Sequence, residues 1–207
     1  MLKMKKITAL LLFTTVISGV CAQTPVWLDP KVNQENEERA VANYFAYESV
    51  EQAEKADKYS SSRFMSIEGD WRFNFVENAN ERPENFYAVG YDDSKWDMFP
   101  VPGLFEMNGY GDRIYVNVGY VWRNQFDNNP PFVEERNNYV GSYRQNFTIP
   151  ADWKGEKVYI HIGSATSNLK VWVNGKYVGY SEDSKMAAEF DITDYVEFGK
   201  PNLIAMQ

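Results

Sequence analysis

From Trp71 onward the apolar residues recur at every second position, and that period dictates strands rather than helices. Trp71, Phe73 and Phe75 alternate with Arg72 and Asn74. Tyr143, Phe147 and Ile149 alternate with Arg144, Asn146 and Thr148, until Pro150 ends the run because it cannot donate to a ladder. Val158, Ile160 and Ile162 share a face opposite Lys157, Tyr159 and His161. Leu169, Val171 and Val173 lead into Asn174-Gly175, and the chain returns from Lys176 to Tyr180. Asn-Gly between two strand-like runs predicts a type I′ hairpin, whose two central residues both need positive φ. Phe190 and Ile192 continue the pattern, and Leu203 to Met206 begins a further strand. Many short strands with regular turn signals predict an antiparallel β-sandwich of jelly-roll type over 62–207, cut short in its last strand.

The first 22 residues stand apart. Lys3, Lys5 and Lys6 precede an apolar run that is too short to span a bilayer and ends at Val20-Cys21-Ala22. Residues 1–22 therefore read as a secretory signal, with cleavage expected after Ala22 and a soluble product exported to the periplasm or the exterior. A lipid anchor on Cys21 is the competing reading; the bulk of Val20 argues against it. The segment 23–61 is polar and reads as an extended arm. Ser49, three residues before Gln52, forms a capping-box signature for a short helix over 50–57. Trp27, Tyr44, Phe45 and Tyr47 suggest that the arm docks on a surface.

Composition removes several function classes. The chain carries a net charge of −8, with no Lys or Arg run beyond its first six residues, so it lacks the basic face that nucleic acid requires. One Cys and one His exclude Cys/His metal clusters, disulfide frameworks and Cys-His nucleophile pairs. His161 lies on the polar side of a strand with no triad partners and reads as structural. Trp71 and Trp172 read as packing, and Asp92 and Asp93 before Ser94 as a turn or cap, since calcium-loop spacing is missing. Glu106, Glu182 and Glu189 are the carboxylates to test for glycoside chemistry, although no spacing pairs them. The stretch 98–140 is rich in Pro and Gly with little period, which marks a functional loop.

Two longer stretches say more. Residues 108–120 (NGYGDRIYVNVGY), followed by NPPF at 129–132 and NYVGSY at 138–143, resemble the N-terminal domain of glycoside hydrolase family 2 in its β-galactosidase branch. So do residues 171–184 (VWVNGKYVGYSEDS), continued by AEFDIT at 188–193. Two departures are visible: Ala187 stands where the family usually has Pro, and Gly103, Leu104 and Phe105 replace a small residue, Asn and Trp. The resemblance implies a jelly-roll sugar-binding domain ahead of an immunoglobulin-like sandwich and a (β/α)8 barrel. In such enzymes the barrel holds both glutamates of a retaining hydrolysis. It further implies that Asn117 and Asp183 contact the galactosyl unit of a β-galactoside. Asp183 would also stand beside a monovalent cation, and the complete enzyme would bind Mg as well. The remaining domains of the hydrolase are the implied partners, the complete enzyme being a homo-oligomer. A membrane span and nucleic acid are not expected.

By this reading the 207 residues contribute sugar contacts but no acid, base or nucleophile, and are inactive alone. Two alternatives stand beside it: a free-standing carbohydrate-binding module, and a purely structural interface domain. The leader yields the first prediction. Intact-mass measurement of the exported protein is expected to show a chain beginning at Gln23 with no thiol, whereas a lipid-modified Cys21 would place it at a membrane surface.

Overall fold

The computed structural model describes residues 25–114, 119 and 129–207. Asn117 and residues 1–22, with Cys21 and the expected signal among them, lie outside the described residues. Among the described residues nine strands form two antiparallel layers. In chain order they are β1 (Gln34–Glu35), β2 (Gly69–Asn78), β3 (Asp97–Val101), β4 (Arg136–Thr148) and β5 (Tyr159–Ile162). β6 (Leu169–Val173), β7 (Lys176–Ser181), β8 (Ala188–Asp191) and β9 (Pro201–Met206) follow. The larger sheet runs β1-β7-β6-β9-β4-β2-β3, and β5 pairs with β8 in the smaller one.

The alternating residues explain the layering. Trp71, Phe147, Val171, Val173, Val178, Ile204 and Met206 project from one face of the large sheet onto Ile160, Ala188 and Phe190 of the small one. Val171, Val173, Phe190 and Ile204 are completely shut off from solvent. The indole of Trp71 reaches the core without an unsatisfied donor because its Nε1 donates to the Ile67 carbonyl at 2.9 Å. Further along the same face, Phe73 packs against Phe99, Phe105, Tyr110 and Tyr143. Phe105, the ring at the site of the second departure, thus serves as the lid of this aromatic layer.

The hairpin takes its expected form. Asn174 and Gly175 have φ of 50° and 81°, as a type I′ turn demands. Asn174 also ties the turn to β9: its Oδ1 accepts from the Leu203 amide at 2.9 Å, and its Nδ2 donates to Asn202 Oδ1 at 2.8 Å. Residues 203–206 accordingly lie in the middle of the large sheet, not at an edge. β9 is bonded to β4 from Tyr143↔Met206 to Thr148↔Pro201 and to β6 from Val171↔Met206 to Val173↔Ile204.

Three features depart from the sequence reading. The stretch 98–140 is less irregular than its punctuation suggests, since its start belongs to β3 and its end to β4. Pro100 is tolerated because β3 is the edge strand, where a missing donor costs nothing on the open side. Helix α1 is Val50–Lys55, two residues shorter than expected. It stops because Ala56 turns left-handed (φ 52°) and Asp57 Oδ1 instead caps the next turn through the Tyr59 amide at 3.0 Å. The Ser49 cap is present, its hydroxyl accepting from the Gln52 amide at 3.2 Å.

The third departure is Arg144, which the alternation places on the outward, polar face. That face is covered. The segment 83–96 folds across it, setting Phe86, Tyr87, Tyr91 and Trp96 against Trp172 and Ala205. Arg144 is 4% exposed beneath this cover. Its Nε bonds Asp93 Oδ2 at 2.6 Å, and its NH1 donates to the carbonyls of Phe86 and Ala88. The guanidinium stacks 5.5 Å from the Tyr91 ring centre. Removing one partner of a buried, multiply bonded pair strands the other. Arg144→Met is therefore expected to lower unfolding free energy by about 3–5 kcal/mol. Arg144→Lys should recover little of this, because an ammonium lacks the planar fork. Urea unfolding followed by the fluorescence of Trp96 and Trp172 checks both.

Candidate functional site

β7 ends at Ser181 and β8 begins at Ala188, so residues 182–187 form a loop on one end of the sandwich, with Asp183 exposed upon it. Its position follows from the strands that feed it. Tyr180 is fully buried as a ring. Its hydroxyl, equally shut off from solvent, donates to Glu182 Oε2 at 2.6 Å. Asp183 Oδ1 accepts from the Lys185 amide at 3.2 Å, and the Ser164 hydroxyl donates to the Ser184 carbonyl at 2.9 Å. The second of these joins the loop to the neighbouring β5–β6 connection.

The arm braces the same region. β1 pairs with β7 at Gln34↔Ser181 and Glu35↔Tyr180. The Glu182 amide donates to the Asn33 carbonyl at 3.1 Å, and Asn36 Nδ2 donates to the Val178 carbonyl at 2.9 Å. Beyond β1 the Glu38 amide reaches the Glu189 carbonyl of β8 at 2.8 Å. The arm thus fastens both roots of the loop. Gly179 makes the approach possible: a Cβ there would stand 2.5 Å from the Glu35 carbonyl oxygen and 2.6 Å from the Phe190 ring.

The other candidates, the Glu106 carboxylate apart, are engaged by neighbouring groups. His161 Nδ1 lies 2.8 Å from Glu189 Oε1, in register across β5 and β8. Glu182 is engaged by Tyr180. Glu106 sits on a turn after β3, where its carbonyl accepts from Arg113 Nε at 3.0 Å. Asp92 Oδ1 caps the Ser94 amide at 3.0 Å as a turn residue, and Asp93 is the Arg144 partner. Trp172 packs on the outer face against a parallel Tyr87 ring at 5.1 Å. Sequence reasoning missed the Arg144–Asp93 pair and the brace on the loop. A charged residue inside a period-two run was the one available signal for the first; the second involves partners far apart in the chain.

Among the described residues no group of three or more His, Cys, Asp or Glu side chains gathers. Asp183 is one carboxylate, short of the several oxygens that a bound cation collects. Nor is any described helix long and apolar enough to cross a membrane.

Similarity to known proteins bears on the whole sandwich. The family model described as "Glycosyl hydrolases family 2, sugar binding domain" matches residues 64–207. The chain belongs to glycoside hydrolase family 2. It is similar to a curated β-galactosidase of Priestia megaterium, 41% identical over 184 residues that make up 88% of this chain and 18% of the relative. A β-galactosidase large subunit of Leuconostoc lactis is 34% identical, over 87% of this chain and 30% of that one. Among solved structures, a family 2 hydrolase from Bacteroides cellulosilyticus is 27% identical with a TM-score of 0.49, covering 70% of this chain and 17% of its own. This family 2 chain spans about a fifth to a third of the length of these curated relatives. It corresponds to the N-terminal domain of β-galactosidase-like family 2 enzymes, and so to one domain of a larger hydrolase.

The phenols around the loop generate a pH prediction. Burial, then the bond to Glu182 and its charge, push the Tyr180 phenol well above its ordinary value of 10.0. Burial and Glu35 do the same to Tyr177, whose hydroxyl lies 2.5 Å from Glu35 Oε2. Near the 102–114 loop, the bond to Asp112 pushes Tyr139 up to about 12. A value raised in the folded state stabilises the fold fully below pH 10 and is lost as pH climbs toward the folded value. Ultraviolet titration is expected to show these tyrosines ionising only above pH 10. Tyr180→Phe is expected to flatten the alkaline fall in melting temperature.

Proposed function

We propose that this chain is the sugar-binding domain of an exported, retaining β-galactosidase, and that Asp183 and Asn117 supply contacts to the galactosyl unit. The observation that carries the reading is Asp183 itself: an exposed carboxylate whose one bond among the described residues, to the Lys185 amide, leaves most of its acceptor capacity for hydroxyls. The relatives named as β-galactosidases support the substrate class. Asn117 adds an amide with two donors and an acceptor. Acid and nucleophile belong to a barrel beyond these residues, so the chain alone is expected to leave a chromogenic β-galactoside intact. The leader supports export, to the periplasm or the exterior.

Kinetics on the full-length hydrolase test the reading. Hydrogen bonds to a charged group contribute about 1.5–3 kcal/mol, so Asp183→Ala is expected to lower kcat/KM by about ten- to a hundredfold with an unchanged melting temperature. Asn117→Ala, which removes a neutral group, should cost less. A lowered melting temperature with unaltered kinetics would instead make Asp183 only the turn residue that caps Lys185.

A further inference from the structure

A carboxylate on a six-residue loop grips a sugar only as well as the loop is held, and the side chain next to it carries the restraint. We propose that Glu182 is the positioning residue for Asp183, fixed through its side chain by the Tyr180 hydroxyl and through its backbone by the N-terminal arm. This rests on the reading of Asp183 as a sugar ligand. Glu182 is half-buried and directly precedes Asp183. The Tyr180 ring that anchors it belongs to the core, with no exposure to solvent, so the 2.6 Å bond from its hydroxyl transfers the rigidity of the sheet to the loop. The Glu182 amide is held separately by the Asn33 carbonyl at 3.1 Å.

The distribution of contacts separates the two neighbours. Glu182 turns back toward the sheet and is bonded there, whereas Asp183 is exposed and bonds only its own turn among the described residues. The high value of the Tyr180 phenol keeps the proton on that hydroxyl throughout the neutral range, so the donor is constant. A loss of this bond leaves the Asp183 carboxylate chemically intact but no longer held in one place. Binding of substrate then requires the loop to be ordered at that moment, which weakens affinity.

The test is steady-state kinetics of the full-length hydrolase on a chromogenic β-galactoside, with thermal unfolding of each variant. Tyr180→Phe and Glu182→Ala are each expected to raise KM about three- to tenfold, the worth of one hydrogen bond, with kcat unchanged. Glu182→Gln retains an acceptor oxygen and should restore KM to nearly the native value. Tyr180→Phe combined with Glu182→Ala should be no worse than Glu182→Ala alone, because both remove the same bond. An unchanged KM in Tyr180→Phe and Glu182→Ala, while Asp183→Ala still impairs the enzyme, overturns the positioning role and leaves the sugar reading standing. If Asp183→Ala is also without effect, both fail. A fall in kcat and melting temperature at constant KM, or no rescue by Glu182→Gln, likewise overturns the proposal.

Discussion

The outer face of the large sheet depends on one guanidinium. Arg144 lies beneath the 83–96 segment and is bonded both to the Asp93 side chain and to the main-chain carbonyls of Phe86 and Ala88. A connecting segment normally runs over the surface because its backbone groups need partners, and here a planar donor supplies them from below. With that segment in place, Trp172 and Ala205 are buried on the side of the sheet away from the main core. The sandwich therefore has three layers at this point, although only two contain strands.

A second polar device organises the centre. Asn174 is at once the turn residue that takes positive φ and the side chain that meets Leu203 and Asn202. Local geometry and long-range pairing are thus specified by a single amide. The neighbouring Asn202, fully buried, also accepts from the Glu197 amide at 2.7 Å and donates to the Glu197 carbonyl at 2.9 Å. Such a network tolerates no slip of β9, because a one-residue shift would strand every member.

What could be read from the sequence was what is local or periodic. The hydrophobic alternation at 71–75, 143–149, 158–162 and 169–173 located β2, β4, β5 and β6, and Asn174-Gly175 located a hairpin. The Ser49 cap was legible for the same reason, since cap and partner are three residues apart. β3 was not, because Pro100 reads as a strand breaker until its edge position is known. Arg144 looked solvated because alternation assigns faces but cannot say what covers them. For the candidate site, the motif alone singles out Asp183, whereas the brace on its loop joins residues near 35 to residues near 180 and leaves no periodic trace.

The central place of β9 bears on the order of assembly. Among the described strands it comes after the others in chain order, yet it is the wedge between β4 and β6. Until it arrives, no strand pairing among the described residues joins the β4-β2-β3 half to the β1-β7-β6 half of the sheet, and both expose an open strand edge. Such pairing at large sequence separation is slow, and unpaired edges are where nascent chains associate wrongly. Both open edges therefore stay exposed to other edges during synthesis, and the seven strands of the large sheet join only when β9 is inserted between β4 and β6.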